Sequence, residues 1–178
     1  MILSLGGAGV EARHEDFNEN LRETLDLVPY LKKSAGCIDY VAVTQKESAD
    51  LTAFEVAEIA KIIAHYQNEY DGFVIMGGTD TMPFTASATA FALRGLGKPV
   101  IFTGATLNAA EWDSDFRLNL PNAIKAAIMG ARDVNTSSTG EVGVLFDDTL
   151  CRGTACIQRG TRSSNPIISP RVPKIADI

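Results

Sequence analysis

A threonine and an aspartate stand side by side in Gly77-Gly78-Thr79-Asp80-Thr81-Met82, directly after the apolar run Phe73 to Met76. A hydroxyl and a carboxylate side by side on a glycine turn put polar side chains and backbone N–H groups together at the end of a strand, where they could meet a ligand. Further polar clusters follow other apolar runs in the same way: Gly6-Gly7-Ala8-Gly9, the stretch Gln45 to Asp50, and Thr103 to Asn108 with Asp113 to Asn119. One cluster of this kind is an ordinary strand-end turn, whereas four in succession point to a site. The bland reading of Thr79 and Asp80, a strand-to-helix turn with a local cap, stays open at this stage, because both residue types cap helices well.

For these clusters to meet, the apolar runs before them must lie side by side. Ile2 to Leu5, Ile38 to Val43, Phe73 to Met76, Pro99 to Phe102 and Glu141 to Phe146 are short apolar runs of the kind that buried parallel strands show. Between them, helical spacing recurs. Leu21, Leu25, Val28 and Leu31 share a face that Pro29 should interrupt. Thr52 with Glu55 predicts a capping box opening a helix up to about Tyr66. Phe84 to Leu93 and Leu118 to Met129 predict two more helices. The alternation implies an α/β class: a Rossmann-like, flavodoxin-like, doubly wound and mostly parallel sheet. Alternation around Gly153 adds an antiparallel edge hairpin. In such sheets ligands bind at the carboxyl ends of the strands, which is where the four clusters fall.

Composition narrows the function classes. With 46% apolar and 21% charged residues among 178, the chain suits one folded domain. A formal charge of −6 without clustered Lys and Arg argues against nucleic acid. The apolar start is too short to span a bilayer and reads as a strand, so no membrane partner is expected. Cys37, Cys151 and Cys156 are odd in number and lack metal-finger spacing, which suits reduced packing residues in a cytoplasmic protein and no metal. Gly6-Gly7-Ala8-Gly9 lacks the full dinucleotide fingerprint, and no cofactor is implied.

The stretches SADLT, GGTDTM, TGATLNAAEWDSDFRLN and SSNPIISP, in this order and spacing, resemble the bacterial-type L-asparaginases, types I and II. The resemblance runs from Met1 to about Ile178 and covers that family's amino-terminal domain. It implies an α/β domain over 1–162 and a linker-like tail over 163–178, with the carboxy-terminal domain absent. It also implies hydrolysis of a side-chain amide. In the family a nucleophilic threonine of a Thr-Gly-Gly-Thr-Ile motif works with a Thr-Asp pair and a lysine. The pair falls on Thr79 and Asp80, catalytic by this resemblance. Gly78, Thr79 and Asp80 would bind substrate with Ser48, the aspartate facing the ligand's ammonium and Ser48 its α-carboxylate. A capping role for Ser48 before Thr52 remains the alternative.

Three family positions are degenerate here. Ala8 stands where the nucleophilic threonine should be, Gln158 where the lysine should be, with Arg159 adjacent if the register slips by one, and Gly77 where the family has histidine. Glu11 and His14, in the loop after the first glycine turn, are candidates for a replacement base. Ser114, Asp115 and Asn119 are expected to stabilise the site loop and the following helix. Two functions therefore compete: an amidohydrolase acting on asparagine or a related small amide, and a disabled domain that binds an acidic amino acid or its amide. The family's sites are completed across subunits, so a homodimer or higher homo-oligomer is expected.

Overall fold

The computed structural model describes residues 1–6, 14–109, 111–132, 141–160 and 165–178. Strands and helices alternate along the chain as β1 (Ile2–Ser4), α1 (His14–Asp26), α2 (Pro29–Ala35), β2 (Tyr40–Ala42), α3 (Ala53–Tyr66), β3 (Phe73–Met76), α4 (Met82–Ala92), β4 (Val100–Thr103), α5 (Phe116–Arg132) and β5 (Val142–Phe146). Four short strands follow: β6 (Thr149–Arg152), β7 (Ile157–Gln158), β8 (Ile167–Ile168) and β9 (Ala176–Asp177). The main sheet has the order β2-β1-β3-β4-β5-β6-β9, and β7 pairs with β8 in a small separate ladder. From β2 through β5 every pairing is parallel, and β6 and β9 join antiparallel. The α/β, mostly parallel expectation holds, in the flavodoxin-like strand order whose direction of winding reverses between β1 and β3.

Both faces of the sheet are covered, which explains why its strands read as unbroken apolar runs instead of alternating ones. Along β3, Val74 and Met76 pack with Leu21, Leu25 and Leu31 of α1 and α2 and with the buried face of α5. Their neighbours Phe73 and Ile75 pack on the opposite face with Ile59 and Ile63 of α3 and with Met82 and Ala86 of α4. All four β3 residues are at most 3% exposed, so truncating one, for example Phe73→Ala, should cost about 3–5 kcal/mol. Registers bring the strand ends level: Ser4 lies opposite Ala42 and Met76, and Met76 opposite Thr103. The glycine turns that follow thus begin in one row.

Several boundaries differ from the sequence expectation for local reasons. α1 stops at Asp26 and Pro29 opens a separate α2, where its missing N–H costs nothing. For the same reason α4 starts at Met82, ahead of the expected Phe84, with Pro83 in its first turn. The edge hairpin is present, but its turn is Asp147-Asp148, between β5 and β6, and not Gly153. Asp147 takes the left-handed φ of 56°, a conformation a short polar side chain tolerates. Gly153 instead follows β6, where its N–H donates to the Val142 carbonyl at 2.8 Å. Within the stretch read as a linker-like tail, Ile167 of β8 is buried in the core and β9 pairs with β6 along the sheet edge.

Candidate active site

Close backbone packing fixes the turns at the carboxyl ends of β1 to β4. Gly6 has φ 87°, and a Cβ there would lie 2.4 Å from the Lys46 carbonyl oxygen, so the turn after β1 rests directly on the loop after β2. Gly104 does the same after β4: a Cβ would come within 2.2 Å of the Gly77 carbonyl oxygen, while the Gly77 N–H donates to Thr103 O at 3.0 Å. Only glycine fits either place. The turn after β1 is thus locked to the loop after β2, and the turn after β3 to the turn after β4, each through main chain.

On this platform Gly78 and Thr79 are partly exposed and Asp80 is exposed, immediately ahead of α4. Neither Thr79 nor Asp80 sits at the cap position of α4: Thr81 occupies it and makes no side-chain cap bond. Its hydroxyl instead donates to the Ser48 carbonyl at 2.9 Å, which pins the short 3₁₀ turn Ser48–Asp50 against the start of α4. Thr79 contributes its carbonyl to the first turn, accepting from Met82 N at 3.4 Å. Ser48 is buried, and the cap of α3 is Thr52: its hydroxyl accepts from Phe54 N at 3.2 Å, and Glu55 accepts from Thr52 N at 2.7 Å. Sequence reasoning missed the role of Thr81, whose only signal was its place inside GGTDTM.

Gln158 comes to the same place from the far end of the chain. Its Nε2 donates to Asp80 Oδ1 at 3.2 Å, across 78 residues of sequence. A neutral amide can donate this bond but brings no charge of its own to the carboxylate. From Asp80 and Gln158 a groove of about 630 Å³ runs along α4, walled by Phe84 and Phe91 on one side and Ile157 on the other. A second cavity, of about 640 Å³, opens near Met1, Asp39 and Tyr70 at the opposite end of the sheet and contains none of these residues. Among the described residues there is no cluster of His, Cys, Asp and Glu fit to hold a metal ion.

The remaining sequence candidates divide clearly. Asp115 accepts from Thr106 N at 2.9 Å and from Leu107 N at 3.2 Å, fixing the loop after β4. Ser114 accepts from Phe116 N at 3.3 Å at the start of α5, and Asn119 donates to Gly104 O at 2.9 Å. All three act on the loop and the helix, as expected. Ala8 and Glu11 lie outside the described residues, as does the side chain of His14.

A family model described as asparaginase, amino-terminal, matches residues 1–178. The chain is 37% identical over 131 residues to L-asparaginase 1 of Escherichia coli strain K12, covering 74% of this chain and 37% of that protein. It is 38% identical over 111 residues to a glutamyl-tRNA(Gln) amidotransferase subunit of Pyrococcus abyssi, covering 60% of this chain and 24% of that one. The fold superimposes on the thermostable L-asparaginase from Thermococcus kodakarensis with a TM-score of 0.79 at 24% identity, over 99% of this chain and 52% of that one. The chain thus spans about a third of the length of its E. coli relative and half of the solved one. With its whole length matched by the family model, the chain belongs to the asparaginase family, in the part that forms the amino-terminal domain.

Proposed function

We propose that the chain is an asparaginase-like amidohydrolase domain acting on the side-chain amide of asparagine or a related small amide. The reading rests on the turn Gly77-Gly78-Thr79-Asp80 at the carboxyl end of β3, joined by Gln158, in a chain of this family. In it Thr79 supplies the hydroxyl, glycine amides of the turn stabilise the oxyanion, and Asp80 pairs with the substrate ammonium. Ser48 meets the α-carboxylate. The names of the E. coli and P. abyssi relatives, an asparaginase and part of an amidotransferase, support an amide as the reacting group. We further read the protein as a homo-oligomer, most simply a dimer.

A second reading, a disabled domain that binds an acidic amino acid or its amide, is favoured by Ala8, which has no hydroxyl, and by Gln158, which has no charge. Calorimetric titration with aspartate, asparagine, glutamate and glutamine, run beside an ammonia-release assay, separates the two. Asp80 is solvent-exposed, so Asp80→Ala should weaken binding by about 1 kcal/mol, or roughly fivefold, the scale of a solvated ion pair. Thr79→Ala should leave binding nearly intact and abolish ammonia release. If wild type releases no ammonia yet binds aspartate, the binder reading stands. If neither is detected and Ala8→Thr with Gln158→Lys adds nothing, both readings fall.

A further inference from the structure

Thr81 holds the cap position of α4, where a threonine ordinarily turns its oxygen back onto the first N–H groups of the helix. Here no side-chain cap bond forms, and the hydroxyl donates instead to the Ser48 carbonyl at 2.9 Å, 33 residues away in the chain. Thr81 is braced from behind, since its own carbonyl accepts from Thr85 N at 2.9 Å and from Thr85 Oγ1 at 3.1 Å. The 3₁₀ turn Ser48–Asp50 is held chiefly from within. Its bonds from Asp50 N to Glu47 O and from Leu51 N to Ser48 O are local. Among the described residues, the Thr81 hydroxyl is the one hydrogen-bond partner that reaches this turn from another element. Ser48 is 5% exposed, and its hydroxyl donates to no described residue, which leaves that donor for a ligand.

Asp80 is the residue next to Thr81 in the chain, so a single hydrogen bond sets how far Asp80 lies from Ser48. In an α-amino acid the ammonium and the α-carboxylate are attached to one carbon, and their separation is fixed. We propose that Thr81 is a positioning residue. Its bond to Ser48 keeps the ammonium and carboxylate positions at that separation, and so gives the site its preference for α-amino acids over ligands that lack the α-carboxylate. The proposal rests on the roles of Ser48 and Asp80 given under Proposed function and adds what holds them in register. Thr81 acts through Ser48. Neither the ammonium nor the α-carboxylate changes charge when a side-chain amide is hydrolysed, so their spacing bears on substrate and transition state alike. Loss of the Thr81 hydroxyl is therefore read in binding and KM and leaves kcat nearly unchanged.

The test compares two ligands by calorimetric titration of the 178-residue chain, with circular dichroism as a check of folding. They are aspartate and β-alanine, which is aspartate without its α-carboxylate. Thr81→Val keeps the branched shape and removes the hydroxyl, and it is expected to cut the preference for aspartate over β-alanine about fivefold, the scale of one hydrogen bond. Thr81→Ser, which keeps the hydroxyl, should hold that preference within about twofold of wild type. Thr81→Ala repeats the valine result and stands in for it if the valine variant does not fold. In ammonia release from asparagine, Thr81→Val should raise KM about fivefold and leave kcat within about twofold. A role confined to folding would weaken both ligands alike. Equal loss for aspartate and β-alanine, or no loss for either, overturns the proposal and leaves the roles of Ser48 and Asp80 intact. Wild type that binds neither aspartate nor asparagine and releases no ammonia overturns both.

Discussion

Asn119 holds the candidate site from beneath. Its Nδ2 donates to Gly104 O at 2.9 Å and to Asp115 Oδ2 at 3.1 Å, while its Oδ1 accepts from Asp147 N at 2.9 Å. One buried amide thus ties the glycine turn after β4 to the β5–β6 turn. Asn119→Ala leaves a buried carbonyl and an amide N–H without their partner. It should cost about 2–4 kcal/mol in urea unfolding, and a loss under about 1 kcal/mol would mean that water replaces the side chain. Thr79 and Asp80 were legible from the sequence because they are adjacent and follow a strand. Gln158 was not readable from local pattern, since its contact with Asp80 spans 78 residues, and only the order of family motifs picked it out. Thr81 was hidden for another reason: a threonine before a helix reads as a cap, and nothing in the sequence shows its hydroxyl turned to Ser48.

A helix start is readable where a capping box is present, because a cap writes its chemistry into neighbouring residues. The Thr52–Glu55 box is an example, although its third member is invisible locally: Lys46 donates to Glu55 Oε1 at 2.6 Å from the loop after β2. The Lys46 ammonium first, then Thr52, hold the Glu55 carboxyl at about 2, down from its ordinary 4.5. A lowered carboxylate stabilises the fold fully above its unfolded value, and that contribution disappears as pH falls from about 4.5 toward about 2. Urea midpoints of wild type and Glu55→Gln should therefore converge across that window after standing apart at about pH 7. Parallel curves would refute the assignment. Where no cap marks the spot, as at the β5–β6 turn, a glycine drew attention to the wrong residue, and an aspartate with positive φ makes the bend.

At the scale of the molecule, the parallel core was legible because strands buried on both faces are apolar throughout. The margins were not, since β9 at the sheet edge and β8 in the small separate ladder are only two residues each and carry no readable period. Their brevity matters for what surrounds the protein. β9 pairs with Thr149 and Leu150 of β6, and flanking bonds from Ile175 N to Leu150 O at 2.7 Å and from Ile178 N to Asp148 O at 2.8 Å lengthen the cover. β6 would otherwise present its free edge to solvent, a template for cross-chain pairing. Removal of residues 174–178 should shorten the lag of thioflavin-positive aggregation at about 37 °C while leaving the core's helical signal in place, and an unchanged lag would show that β9 protects nothing. Colloidal stability in a crowded solution thus depends on residues 174–178, of which Ile175 and Ile178 also pack against the core.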